Sequence, residues 1–135
     1  MAKKTSKQET PTAIIINEDE LASDSEEDQV FTDLGNKLAE IRKEKGVIGY
    51  ILRNTTSATI DLKEPEKIIE YALFSSQVLD SSLEISNLFE LGEVESILVE
   101  GKETNALCRT INGNQISIFM EKDADHADIL KRISP

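Results

Sequence analysis

The spacing of apolar residues after Asp28 predicts that the ordered part of the chain begins with an amphipathic helix. Four apolar residues recur at i, i+3, i+7 and i+10, which places them in one stripe along a helix: Phe31, Leu34, Leu38 and Ile41. Basic residues follow in the last turn, and Gly46 suits the position just past a helix end. The first helix is therefore predicted over residues 28–45.

The next two segments have the composition of two strands joined by a turn. Residues 47–52 are nearly all apolar, as expected of a central strand covered on both faces. Asn54-Thr55 can turn the chain, and the Thr-rich segment 56–61 is predicted to return beside the first strand.

A long helix is predicted over residues 64–91, because Pro65 suits a first helical turn and Gly92 suits its end. It carries two apolar stripes, although a surface helix needs only one. One stripe contains Ile69, Leu73, Leu79 and Leu83. The other contains Ile68, Ala72, Val78, Ile85 and Phe89, with small Ser75 and Ser82 between the stripes. The two stripes suggest that the sheet covers one and a second protein surface covers the other.

Three more strands are predicted at 93–100, 104–111 and 115–120, followed by a short helix at 124–133. Asn112-Gly113 indicates a tight hairpin, because both central residues of a type I′ turn need positive φ. The resulting order is α-β-β-α-β-β-β-α. It predicts an α+β fold with a five-stranded antiparallel sheet in a three-layer α/β/α arrangement, occupying residues 28–135.

Residues 1–27 are predicted to form a disordered acidic tail, since they lack apolar periodicity and cannot bury enough surface to offset their ordering entropy. The exception within the tail is the β-prone run 13–16. As an alternative to disorder, this run could add as a strand to an exposed sheet edge, in cis or on a partner.

This order of elements resembles the roadblock/dynein-light-chain family of the longin-like superfamily, over about residues 30–133. The similarity lies in Gly46–Tyr50 opening the first strand, Glu90–Glu93 closing the long helix, the strand at Ser96–Glu100 and the Asn112-Gly113 hairpin. The resemblance implies one long helix on one face of the sheet and the terminal helices on the other.

The resemblance further implies a non-catalytic module that dimerises and binds a Ras-like small GTPase. The mate is either a second copy or a sister roadblock protein, paired through the third strand and the long helix. The implied dimer interface is Ile68, Ala72, Ser75, Val78, Ser82, Ile85, Phe89, Glu95, Ile97 and Val99. The implied GTPase contacts are Glu66, Lys67, Glu70, Asp80 and Glu84.

Composition narrows the possible partners. The chain has 135 residues and a formal net charge of −11, with 26 acidic and 15 basic side chains. Nucleic-acid binding is not expected, because it needs clustered Lys and Arg. No apolar run reaches the roughly 20 residues of a membrane span, and Ile14–Ile16 is too short for a signal peptide. We expect a cytoplasmic protein without membrane insertion.

Catalytic, metal and cofactor sites are not expected. Gly101-Lys102 lacks the first glycine and the Ser or Thr of a P-loop, so a hairpin turn explains it. Cys108 and His126 are too few for a zinc site, and Cys108 is expected to be a small core residue, with a Cys–His nucleophilic pair as the alternative. Two other functions remain open: a scaffold subunit that leaves GTP turnover unchanged, and a small-molecule sensor.

Overall fold

A computed structural model of the chain describes residues 13–17 and 26–134. In chain order, the elements are β1 (Ala13–Asn17), α1 (Glu26–Arg42), β2 (Val47–Arg53), β3 (Ser57–Leu62), a 3₁₀ turn (Pro65–Lys67), α2 (Ile68–Leu88), β4 (Ser96–Glu100), β5 (Thr104–Ile111), β6 (Asn114–Glu121) and α3 (His126–Ile133).

One antiparallel sheet organises the fold, in the order β1-β3-β2-β6-β5-β4. The five predicted strands all form, and the predicted α+β class is confirmed. Strands β2, β5 and β6 lie in the middle of the sheet and are buried on both faces over most of their length. Their nearly continuous apolar sequence follows from this position.

The sheet has a sixth strand, β1, in a segment that the sequence assigned to a disordered tail. Strand β1 pairs antiparallel with β3, in a register that runs from Ala13 opposite Asp61 to Asn17 opposite Ser57. Pairing with β3 gives the backbone N–H and C=O groups of β1 hydrogen-bond partners that this short segment could not form by itself. The run 13–16 thus adds as a strand to the sheet of its own chain, which is one of the two alternatives to disorder given above. The predicted disorder of residues 1–12 and 18–25 lies outside the described residues.

Helices cover both faces of the sheet, as the three-layer prediction requires. On one face, α1 and α3 enclose a core around the central strands, whose fully buried members include Leu38, Leu52, Ile116, Ile118 and Ile133. On the other face, α2 packs on a smaller cluster of Ile51, Leu62, Ala106 and Phe119. An ion pair between Arg42 and Asp61, with N···O 3.4 Å, ties the end of α1 to β3.

The predicted hairpin is confirmed by its backbone, because Asn112 and Gly113 have φ of 50° and 80°. The helix boundaries are less accurate. Helix α1 ends three residues earlier than predicted, and α2 begins only after the 3₁₀ turn. It ends with Glu90 at φ 53° and the Leu91 N–H donating to the Ser86 carbonyl, a Schellman closure that stops the helix before Gly92.

A matched pair of glycine substitutions tests the packing of β2 and α1. A Cβ on Gly49 would lie 2.4 Å from the Asp61 carbonyl oxygen, so Gly49→Ala must push strands β2 and β3 apart. We expect it to lower the free energy of unfolding by about 3 kcal/mol. A Cβ on Gly35, inside α1, meets only the Leu52 side chain at 3.7 Å. Gly35→Ala should therefore raise stability by about 0.5–1 kcal/mol.

Urea unfolding followed by far-UV circular dichroism measures both glycine effects. A Gly49→Ala variant as stable as the parent chain would contradict the close approach of β2 and β3.

Removal of residues 1–17 tests the sixth strand. We expect backbone amides of β3 to exchange with deuterium faster in the truncated chain, because β3 becomes the sheet edge. Amides of β5, which lies between β4 and β6, provide the internal control. Unchanged exchange throughout β3 would show that β1 does not protect this edge in solution.

Candidate interaction surface

The implied dimer interface uses the stripe that contains Ile85 and Phe89, which leaves the stripe of Ile69, Leu73, Leu79 and Leu83 for the sheet. In the structure a different side of α2 faces the sheet. Of the stripe expected on the sheet, only Leu79 is buried; Ile69, Leu73 and Leu83 are 74%, 59% and 53% exposed. Ser75 and Ser86 are buried, and Ile68 and Ala72 pack against the cluster under the helix. The predicted allocation of the two stripes is thus wrong along most of the helix.

Side-chain size explains this orientation. Ile68, Ala72, Ser75, Leu79 and Ser86 follow the heptad-like spacing of one helix face. Most of them are small, so that face can approach the pleated sheet closely. Hydrophobicity alone favours the bulkier stripe, and a row of small residues is the signal that could have identified the correct one.

This orientation removes three residues from the predicted dimer interface. Ile68, Ala72 and Ser75 lie toward the sheet within the monomer, with Ser75 only 1% exposed. Ser75 therefore cannot serve as a point of close approach for a second helix unless α2 moves.

Several other residues of the predicted interface lie on one flank of α2, beside strand β4, together with Phe74, which the prediction did not include. Phe74, Val78, Ser82 and Ile85 line a groove together with Ile97, while Val99 packs near Phe74 and Tyr71. Ile85 and Phe89 are 51% and 70% exposed. We call Phe74, Val78, Ile85, Phe89, Ile97 and Val99 the edge-side surface. Glu95 is exposed directly before β4.

The edge-side surface adjoins an unpaired sheet edge. Within the described ranges, β4 has β5 as its neighbour on one side and no strand on the other. Between α2 and β4 lies an apolar groove of about 310 Å³, lined by Tyr71, Phe74, Val99 and Phe119 among others. Tyr71 stacks on Phe119 with ring centroids 4.3 Å apart, which fixes the floor of the groove.

The predicted GTPase contacts lie elsewhere on the long helix and the turn before it, except Glu70, which also lines the groove between α2 and β4. Glu66, Glu70, Asp80 and Glu84 are exposed, and Lys67 is partly buried. The Glu64 carboxylate, 3.4 Å from the Lys67 ammonium, raises the pKa of that lysine. The exposed residues Ile69 and Leu73 stand among the acidic ones, and the sequence reasoning had placed both against the sheet. We call Ile69, Leu73, Glu66, Glu70, Asp80 and Glu84 the outer surface.

The side chains considered for nucleophilic chemistry are separated by the sheet. Cys108 is fully buried on the α2 side of β5, where its Sγ lies 3.4 Å from the Ser117 Oγ. His126 begins α3, which packs on the opposite face. The core role expected of Cys108 is confirmed. Gly101 N–H donates to the Thr104 carbonyl, as a hairpin turn requires.

The described residues contain neither a cluster of metal ligands nor a membrane-spanning helix. No group of three or more His, Cys, Asp or Glu side chains there could hold a metal ion. No helix in the same ranges is both long and apolar enough to cross a membrane.

The buried thiol yields a prediction. Burial raises the pKa of Cys108, and only the thiolate reacts rapidly with a disulfide reagent. We expect the native chain at pH 8 to react with Ellman's reagent at least about a hundredfold more slowly than the chain unfolded in guanidinium chloride. One thiol per chain should be titrated after unfolding. Rapid reaction of the native chain would contradict the burial of this side chain.

The comparisons with known proteins identify the fold. The structure is similar to the crystal structure of a Roadblock/LC7 domain from Streptomyces avermitilis, with a TM-score of 0.60 and 15% sequence identity, over 78% of this chain and 87% of that one. No family model and no curated protein matches the sequence. At this identity the similarity establishes architecture, and it agrees with the order of elements and the three layers. The chain has a roadblock-like fold.

Proposed function

We propose that this chain is a non-catalytic interaction module that dimerises through the edge-side surface and binds and regulates a Ras-like small GTPase through the outer surface. The proposal rests on two features that lie side by side: strand β4 has an open edge, and apolar side chains of α2 next to it are exposed. Likeness to a Roadblock/LC7 domain supports the same reading.

The edge-side surface has the chemistry of an interface core. An unpaired strand offers backbone donors and acceptors to another strand, and neighbouring apolar pockets add specificity. Burying a large side chain such as Ile85 or Phe89 stabilises an assembly by up to about 1.5–3 kcal/mol. A mate that adds a strand to β4 would lay its own long helix over the groove at Tyr71 and Phe74.

Most of the outer surface would remain free in such a dimer, because Ile69 and Leu73 lie on another side of α2 from the groove that Glu70 lines. Ile69 and Leu73 would supply apolar contacts to the GTPase, and the surrounding carboxylates would select a partner with basic residues. Dimer and GTPase would therefore use different residues of α2, and each surface can be altered separately.

A regulatory effect would act by positioning the GTPase's own catalytic residues. An arginine finger requires a guanidinium free to reach into a partner. Arg42 pairs with Asp61, Arg132 pairs with Glu44, and Arg53 donates to the Ser76 hydroxyl at 2.9 Å. Arg109 lies within β5 and is partly buried. These contacts favour positioning over direct donation of charge.

Two single substitutions test whether α2 uses separate surfaces for dimerisation and for GTPase binding. Leu73→Glu should abolish capture of the GTPase while leaving self-association unchanged, because the new charge lies on the outer surface. Ile85→Glu should weaken self-association at least about tenfold while leaving the outer surface intact, because a carboxylate would be buried at the interface. Both positions are more than half exposed, so both variants should melt at the parent temperature.

The assay passes host lysate over immobilised chain in the presence of a GTP analogue or GDP, and analytical ultracentrifugation reports self-association. Retention of a Ras-like GTPase in one nucleotide state only would establish regulation or effector reading. Equal retention in both states would favour the scaffold function. Absence of any GTPase in either arm would contradict this part of the proposal and leave the fold unaffected.

A further inference from the structure

The charge along the proposed dimer surface is strongly one-sided. Residues 68–103 comprise α2, β4 and the loops that flank β4, and Lys102 is the only basic residue among them. The acidic residues in the same stretch are Glu70, Asp80, Glu84, Glu90, Glu93, Glu95, Glu100 and Glu103. Five of these, from Glu90 onward, frame β4, and all five are exposed.

Neighbouring strands do little to neutralise this edge. The Lys122 ammonium lies 3.9 Å from the Glu100 carboxylate and donates to the Gly101 carbonyl at 3.0 Å. Arg109 stands opposite Ser96 in the register of β5 and is partly buried. In the part of the chain that the structure describes, Glu90, Glu93, Glu95 and Glu103 form no salt bridge.

Pairing β4 with a second copy would bring like charges together. Strand β4 has five residues, so full antiparallel overlap with its own copy is centred on Leu98. The segment that precedes β4 in one copy would then lie beside the segment that follows β4 in the other, which brings Glu93 and Glu95 near Glu103 of the second copy. The two-fold axis repeats this approach. Like charges brought close together repel each other, most strongly at low salt.

We infer that the edge-side surface is built for a mate of different sequence: a second roadblock-type domain whose corresponding strand edge carries lysine or arginine. The inference rests on the proposed function, since it names the mate for the same surface. The apolar side chains of α2 and β4 supply attraction toward either kind of mate. The carboxylates around β4 discriminate against a second copy and favour a basic edge.

The chain itself can supply the basic mate needed for a test. In the variant Glu93→Lys/Glu95→Lys, two exposed carboxylates beside β4 become ammonium groups, and neither takes part in a salt bridge among the described residues. The control is Asp33→Lys/Glu40→Lys, which makes the same change of charge at exposed positions of α1, on the opposite face of the sheet. Native mass spectrometry and sedimentation equilibrium would compare full-length wild type alone with 1:1 mixtures of wild type and either variant.

At about 0.01 M salt, the mixture with Glu93→Lys/Glu95→Lys should form a heterodimer at least about tenfold tighter than the wild-type homodimer. At about 1 M salt, where charges are screened beyond about 3 Å, the two affinities should converge. The mixture with the α1 control should resemble wild type at both salt concentrations, because its new charges lie away from β4.

Each remaining outcome counts against a specific claim. A wild-type homodimer at low salt as tight as the mixed pair would overturn the inference and leave dimerisation through this surface intact. An equal gain from the α1 control would also overturn it, since net charge rather than the β4 edge would then govern association. Failure of every mixture to associate at either salt concentration would refute dimerisation through the edge-side surface, and the inference with it.

Discussion

A single helix is too narrow to cover one face of a six-stranded sheet. The exposed apolar surfaces of this protein follow from that difference in width. Neighbouring strands lie about 4.8 Å apart, so six strands extend roughly 24 Å, whereas a helix with its side chains is about 10–12 Å wide. Two helices, α1 and α3, share the opposite face and enclose the larger core. Among the described elements, α2 is the one helix on its face of the sheet, and apolar strips of the sheet remain uncovered along both of its flanks.

The side chains of α2 decide what those strips become. Small residues on its inner side bring it close to Phe119 and Ala106, and the bulky residues must then point away from the sheet. On the flank toward β4, they stand beside an open strand edge. On the other flank, Ile69 and Leu73 border a groove over β2 and β3 that also contains Arg53, held by Ser76. Close packing within the monomer thus creates the two surfaces proposed for partners.

Elements of this fold that are encoded in short segments could be predicted from the sequence, whereas elements that depend on tertiary contacts could not. The Asn112-Gly113 turn and the apolar strand at Val47–Arg53 are encoded in short segments, and both form as predicted. Strand β1 was predicted only as an alternative to disorder, because its stability depends on pairing with the β3 edge rather than on its own composition. The side of α2 that packs on the sheet was not predicted for a similar reason. A small residue stabilises close packing only through the surface that it contacts, and that surface is distant in sequence. Of the residues predicted for the interface, Val78, Ser82, Ile85 and Ile97 line one groove, whereas Ser75 is buried against the sheet.

On the β4 flank, exposed apolar groups and carboxylates would affect different properties of association: the first its strength, the second the choice of mate. In the proposed dimer, the apolar groups would favour association with any mate of complementary shape, because the hydrophobic effect is not directional. The carboxylates that frame β4 act on the difference between mates, and their influence reaches about 8 Å in physiological salt. A net charge of −11 would repel other copies of the chain in general. Only charges beside the pairing edge would interact differently with an acidic strand and with a basic one. In the proposed dimer Glu93 and Glu95 occupy such positions, so substitutions there would change the preferred mate without changing the apolar contacts of the interface.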